Sequence, residues 1–419
     1  MKQKYFVLWC LSFFSSLSIF SQIANEGVLK ITASTSVYFG ENYTNGSAGT
    51  HDNDGYLYLS GDFINNGSTL SASGTTYFNS GVNDIQSITG TSNSINFYNL
   101  QVNMTSASKK GLSVANNFGL TVENMVSLVS GDLRLIGDSQ LLQSHSGVNA
   151  NPVGSGKLLI DQQGIASAYG FNYWSSPVNI GGNYSINNGL FDGTDSSINP
   201  FDPQQVTFNT DASMNGISAI TDGGGNVITP LSVNKDWFYK HYQPTSWVKI
   251  NESTNLTPGL GYTMKGTNTS DAEQNYVFKG DANNGVYQLP VSAGEFLMIG
   301  NPFPSAIDAN KFIIDNLSLF DGTLYYWVDG GSTSHYMANY YGGYALRNLV
   351  TGTAPSVPAP LISGIGDAHL VTPPTQYIDV AQGFFIEGTA SGNITFDNSQ
   401  REIRTASSGS VNFYRTAEA

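Results

Sequence analysis

Two acidic clusters have the residue types and spacing of a cation site. Asp52-Asn53-Asp54-Gly55 and Asp192-Gly193-Thr194-Asp195 each place oxygen ligands close together on a turn. Ca2+ is a hard cation that takes carboxylate and carbonyl oxygens. It is therefore the cofactor this chain could hold, with Asp52, Asp54, Asp192 and Asp195 as ligands, although none is required. Neither cluster has EF-hand spacing, and the Gly-rich nonapeptide of calcium-binding solenoids is absent. Asp, Asn and Gly are also ordinary turn residues, so a plain turn is the competing reading.

Hydrolytic chemistry has little to start from. There is no Gly-x-Ser-x-Gly elbow. Of His51, His145, His241, His335 and His369, none has a second His three or four residues away, which removes the helical zinc pair. His241 lies in the aromatic run Trp237-Phe238-Tyr239-Lys240-His241-Tyr242, where packing or surface contact is expected. Glycosidases work with two carboxylates. Glu252, Glu273, Glu295 and Glu387 lie in strand-like context, but nothing singles out a pair. A solenoid-type polysaccharide lyase needs a basic side chain or calcium cluster against its uronate. The front of the chain offers only the scattered Lys30, Lys109, Lys110, Arg134 and Lys157. Gly223-Gly224-Gly225 and Gly364-Ile365-Gly366 precede no helix that could bind an anion, and read as turns. No catalytic residue is assigned.

Aromatic residues remain. Trp174, Trp237, Trp247 and Trp327, with their Tyr neighbours, could stack on sugar rings while Asn and Asp take the hydroxyls. In a β-domain without disulfides, aromatics also build the core. The run 336–344, beside Gly342-Gly343, looks most like surface. The expected ligand face is therefore Trp327, Tyr336, Tyr340, Tyr341 and Tyr344. Its expected partner is an extracellular polysaccharide or another surface protein.

The elements that must position these residues are strands. Turn formers (Gly, Asn, Ser, Thr) alternate with Tyr, Phe and β-branched residues throughout. Only 11% of the 419 residues are charged and the net charge is −14, which argues against nucleic acid and anionic membranes as partners. Lys2 and Lys4, an apolar run over 5–20, and Ser21-Gln22 have the anatomy of a secretory signal peptide over 1–22. Cleavage is expected after Ser21 or Gln22. The run is too short and Ser-rich to span a bilayer, so no membrane insertion is expected after cleavage. The location is then secreted, on the cell surface or extracellular. Cys10, the only cysteine, falls inside that segment, so no disulfide or thiolate site is expected in the processed chain.

Between 23 and 161, short alternating stretches recur. Those starting at Tyr56, Thr75 and Ile95 lie 19 to 20 residues apart. One short strand per face at such a period predicts β-solenoid coils, which cannot bury their apolar face singly. The period loosens after Leu100, which keeps a β-sandwich open for this region. From 169 to 401 a β-sandwich-like domain is expected. Its strands are read at 247–250, 261–265, 276–279, 286–289, 377–380, 384–387 and 393–396, with one helix over 308–317. Asn188-Gly189 and Asn284-Gly285 read as type I′ hairpin turns. The Pro-rich stretch 352–374 reads as a long loop, and 402–419 as a tail.

The rear domain carries Tyr173-Trp174-Ser175-Ser176-Pro177-Val178, then 297–308 (Leu-Met-Ile-Gly-Asn-Pro-Phe-Pro-Ser-Ala-Ile-Asp) and Leu324-Tyr325-Tyr326-Trp327. It closes on Ala381-Gln382-Gly383-Phe384-Phe385-Ile386 and Gly392-Asn393-Ile394-Thr395-Phe396. This order of motifs, over most of 170–401, resembles the large cell-surface proteins of Bacteroidota exported by the type IX secretion system. The resemblance implies a surface protein and brings no catalytic residue with it. Such proteins usually end in a sorting domain, and 403–419 does not look like one, so a fragment of a longer protein is expected. The combined reading is an all-β chain, a solenoid-like front and a sandwich-like rear. Its expected role is a non-enzymatic adhesin or structural surface protein. A carbohydrate-binding surface protein or a polysaccharide-degrading enzyme is the alternative.

Overall fold

The computed structural model describes residues 22–80, 85–105, 110–145, 154–195, 198, 200–242, 246–269, 271–340, 342–353 and 373–405. The front is a β-solenoid. Its first sheet stacks Ile23–Asn25, Tyr43–Asn45, Phe63–Asn65, Ile85–Thr89, Gly111–Val114, Asp132–Leu135 and Leu158–Ile165 in chain order, each parallel to the next. Pairing puts Ile23, Tyr43, Phe63, Ile88, Val114, Leu135 and Ile160 in one inward column. A short second sheet stacks Val28–Ile31, Thr50–Asn53 and Ser68–Leu70. The third sheet runs Ser36–Phe39, Tyr56–Leu59, Thr75–Phe78, Ser94–Asn103, Gly119–Ser130 and Gln140–Gln143. Including its less regular last coils, the solenoid makes about nine turns over residues 23–234. The β-sandwich alternative for the front is thus set aside. The period loosens because the coil lengthens after Phe63 and because Ser94–Asn103 carries register shifts against Gly119–Ser130.

Two ladders explain why the short coils hold together. Asn25, Asn45 and Asn65 occupy one column. Asn25 Nδ2 donates to Asn45 Oδ1 at 2.9 Å, and Asn45 Nδ2 to Asn65 Oδ1 at 2.9 Å. Each amide thus satisfies the next, with Asn45 and Asn65 fully buried and Asn25 partly so. On the outer face of the third sheet, Tyr38, Tyr58 and Tyr77 stack with centroids 4.4 Å apart and planes within 8°.

Leu158–Ile165 closes the regular ladder and pairs antiparallel along its length with Glu273–Ala282, so one sheet passes from solenoid into the rear domain. That domain contains a five-stranded sheet in the order Phe296–Gly300, Gly383–Glu387, Leu324–Asp329, Gly342–Arg347, Gly352–Thr353. Period-two alternation divides its side chains between two faces. Leu297, Ile299, Phe384, Ile386, Tyr326 and Val328 join the core with the helix Ala309–Asn316. Phe296, Phe385, Tyr325, Trp327 and Tyr344 face the opposite way. They meet a four-stranded sheet of Phe171–Trp174, Tyr262–Lys265, Tyr239–His241 and Trp247–Lys249.

The expected helix is present, capped by Asp308, whose carboxylate accepts from Asn310 N at 2.8 Å. Both expected hairpin turns are corrected. Asn188-Gly189 ends a single helical turn, Ile186–Gly189. Gly285 does take positive φ, but the strands beside it diverge: Glu273–Ala282 pairs with the solenoid, and Tyr287–Val291 with Gly392–Phe396. Tertiary pairing, not local turn chemistry, decides there. Most of the 352–374 stretch (354–372) lies outside the described residues. Among the described residues, no helix is long and apolar enough to cross a membrane.

Candidate functional site

The second face of the five-stranded sheet gathers a small aromatic cluster around buried Tyr173, Met298 and Phe385, with Phe296, Tyr325, Trp327 and Tyr344 partly buried at its edge. Phe385 is buried at its centre. Phe296 stacks on it at 4.5 Å, and Trp247, Tyr173, Tyr344 and His241 present edges to it within 5.3–5.9 Å. Trp327 stacks on Tyr173 at 6.2 Å and meets the edge of Tyr344 at 5.4 Å. The rim is open: Trp247 is 42% exposed, while Phe296, Tyr325, Trp327, Tyr344 and His241 are half-buried. Strand register places them, since Trp327 pairs with Tyr344 and Tyr325 with Phe385. Gly342 makes room for the indole; a Cβ there would sit 2.5 Å from Trp327 Cζ2. Trp327 Nε1 and His241 Nδ1 are buried and have no hydrogen-bond partner among the described residues. Tyr325 OH donates to Asp321 Oδ2 at 2.6 Å at the edge.

Beside this patch lies a buried lysine. Lys265 Nζ sits 3.6 Å from the Trp237 ring centre, 4.6 Å from Phe171 and 4.7 Å from Tyr340. It also bonds Tyr340 OH and approaches His335 Nδ1 at 3.2 Å. His335 Nε2 donates to Asn215 Oδ1 at 2.8 Å, which leaves Nδ1 to accept from the lysine. Burial pushes Lys265 down to about 7, while nearby Asp329 pulls upward. The three ring faces also favour the ammonium.

The residues expected to form a ligand face divide. Trp327 and Tyr344 lie in the patch. Tyr340 is committed to Lys265, and burial pushes its hydroxyl up to about 12. Tyr336 stands apart at 77% exposure, and Tyr341 lies outside the described residues.

The acidic clusters are engaged by the protein itself. Lys30 Nζ lies 2.5 Å from Asp52 Oδ2 and 3.1 Å from Asp54 Oδ2. That ammonium holds the Asp54 carboxyl below its usual range. Asp192 accepts from Thr194 N at 2.9 Å and Leu231 N at 2.8 Å, and burial pushes its carboxyl up. Asp195 is buried where its charge acts on Arg134. Among the described residues, no group of three or more His, Cys, Asp or Glu is placed to hold a metal ion. Of the strand-context glutamates, Glu252 pairs with Lys235 at 3.4 Å and Glu295 accepts from Ser292 N at 2.6 Å.

Sequence reasoning missed Tyr173, Phe296, Tyr325 and Phe385 as patch members, and Lys265 altogether. The available signal was alternation: in Phe384-Phe385-Ile386, the middle residue must face away from the core its neighbours enter.

The family described as a domain of unknown function (DUF8693) matches residues 76–419, which include the patch, the Lys265 cage and all solenoid coils from Thr76 onward. No curated protein and no solved structure matches the chain.

Proposed function

The chain belongs to the DUF8693 family, and from its geometry we propose that it is a non-enzymatic surface protein of adhesin type that holds an extracellular glycan on the Trp247–Trp327 patch. The half-open ring of Trp247, Trp327, Tyr344, Tyr325 and Phe296 around Phe385 carries this reading. Exposed aromatic area on rigid strands costs solvation, and such patches mark interaction sites. Pyranose C–H faces pack on aromatic rings, and Trp247, Trp327, Tyr325 and Tyr344 keep part of their ring area open to solvent. The net charge of −14 favours an uncharged polymer over an anionic one.

The leader-like residues 1–22 support an exported location, and the rear-domain motifs support type IX export in a Bacteroidota bacterium. Ca2+ is not needed for this role. The test measures retention of the protein on cellulose, chitin, xylan and mannan, with reducing ends assayed in the same tubes. Retention on at least one polymer without release is expected. It should be lost in Trp327→Ala and Trp247→Ala while both variants remain folded by circular dichroism at the assay temperature. Saturable release of reducing ends would overturn the reading.

A further inference from the structure

Among the described residues, the solenoid core is closed at one end and open at the other. At the closed end, the 304–306 segment covers the end strand of the third sheet, Gln140–Gln143: Leu141 N donates to Pro304 O at 2.8 Å, and Ala306 N to Gln140 Oε1 at 3.0 Å. At the open end, Ile23–Asn25, Val28–Ile31 and Ser36–Phe39 are each the outermost strand of their sheet. Of their inward residues, Ile31 is 1% exposed, while Ile23, Leu29, Val37 and Phe39 are only half-buried. The residues paired with them one coil below, Tyr43, His51, Leu57 and Leu59, are at most 2% exposed. On the outer surface of the same coil, Val28 is 76% and Tyr38 69% exposed. No proline interrupts these three strands, and their single lysine, Lys30, is held back against Asp52 and Asp54. Three bare edges around an open apolar core are the arrangement that proteins normally blunt.

We infer that this end is a self-association surface, which a second copy of the chain covers head to head. The occupant follows from three features. A head-to-tail stack would need a free opposite end, and the rear domain occupies it. The chain outside the structure on this side is residues 1–21, which end two residues before Ile23 and read as a leader removed on export. A second copy presents three edges in the same cross-section, as no single added strand does. A two-fold axis across the solenoid axis sets the facing strands antiparallel, so edge amides pair directly.

The experiment is sedimentation equilibrium on residues 22–419, which contain every described residue, from low to high micromolar concentration. The mass is expected to rise from one chain to two. Amide exchange within Val28–Ile31 and Ser36–Phe39 should slow as it does so. Val28→Lys/Tyr38→Lys changes two mostly exposed side chains, removing the end ring of the tyrosine stack, and should stay at one chain with an unchanged circular dichroism spectrum. Ile220→Lys/Ile228→Lys, exposed on another surface, should still pair. A single-chain mass at every concentration would overturn the inference, as would pairing that survives Val28→Lys/Tyr38→Lys or assemblies larger than two.

Discussion

Arg401 donates through Nη2 to the main-chain oxygen of Leu141 at 2.7 Å, tying the end of the rear domain to the end strand of the solenoid's third sheet. The same guanidinium donates from Nε to Ser305 Oγ at 2.9 Å and from Nη1 to Asn284 Oδ1 at 2.9 Å, with Phe303 under its face. Burial pushes Arg401 down to about 9, so it remains a cation at neutral pH. Its neutral partners cost little desolvation of their own. Arg401→Met should destabilise by about 3 kcal/mol, because four acceptors, Asn398 Oδ1 at 3.2 Å among them, lose a donor. Arg401→Lys should recover little of this, since an ammonium cannot reach three directions in one plane. Thermal unfolding followed by calorimetry reads both.

The Asn25–Asn45–Asn65 column makes a separate prediction about the front. Asn45 is fully buried, accepts from Asn25, and donates to Asn65 Oδ1 and to Ser68 O at 2.9 Å. Asn45→Leu should cost about 2–3 kcal/mol by stranding amides on both sides. Urea denaturation followed by far-ultraviolet circular dichroism should show a lower midpoint at unchanged slope.

His51 makes the solenoid acid-sensitive. Its ring is buried beside Tyr43, and burial pushes its pKa down to about 4 from an ordinary value near 6.5. The unfolded chain therefore takes up a proton that the folded chain refuses. Stability falls as pH drops from 6.5 to about 4 and flattens below that, by about 3 kcal/mol from this group. His51→Phe should remove that part of the acid dependence. Denaturation midpoints at pH 7, 5.5 and 4.5 compare the two proteins.

Gly342 and Trp327 form a steric pair. A methyl group at 342 would press on the indole, so Gly342→Ala should tilt Trp327 out of its stack on Tyr173. The expected readout is a red shift in tryptophan emission and weaker glycan retention, with stability reduced by about 1–2 kcal/mol. Trp327→Ala/Gly342→Ala should show no additional loss of retention over Trp327→Ala alone.

The solenoid was legible because short coils repeat one inward–outward alternation at nearly constant spacing, and Leu57, Thr76 and Leu100 fall in a single column. Asn25, Asn45 and Asn65 repeat just as regularly, yet single asparagines read as turn formers; only stacking turns them into a ladder. The patch was half legible. Trp327 and Tyr344 stand in a recognisable strand pair, whereas Tyr173, Phe296 and Phe385 come from distant segments joined by pairing across the sheets. Lys265 was illegible, because a lysine reads as surface unless the three rings around it are known. Asp52 and Asp54 invited a cation, and the one beside them is Lys30, from a strand 22 residues upstream.

Retention of residues 22–419 on immobilised cellulose, chitin, xylan and mannan, compared with Trp327→Ala and Trp247→Ala, tests glycan binding most directly. Retention that both substitutions abolish, in variants that remain folded and with no reducing ends released, is the expected result. No retention on any polymer, or retention indifferent to both tryptophans, would contradict it.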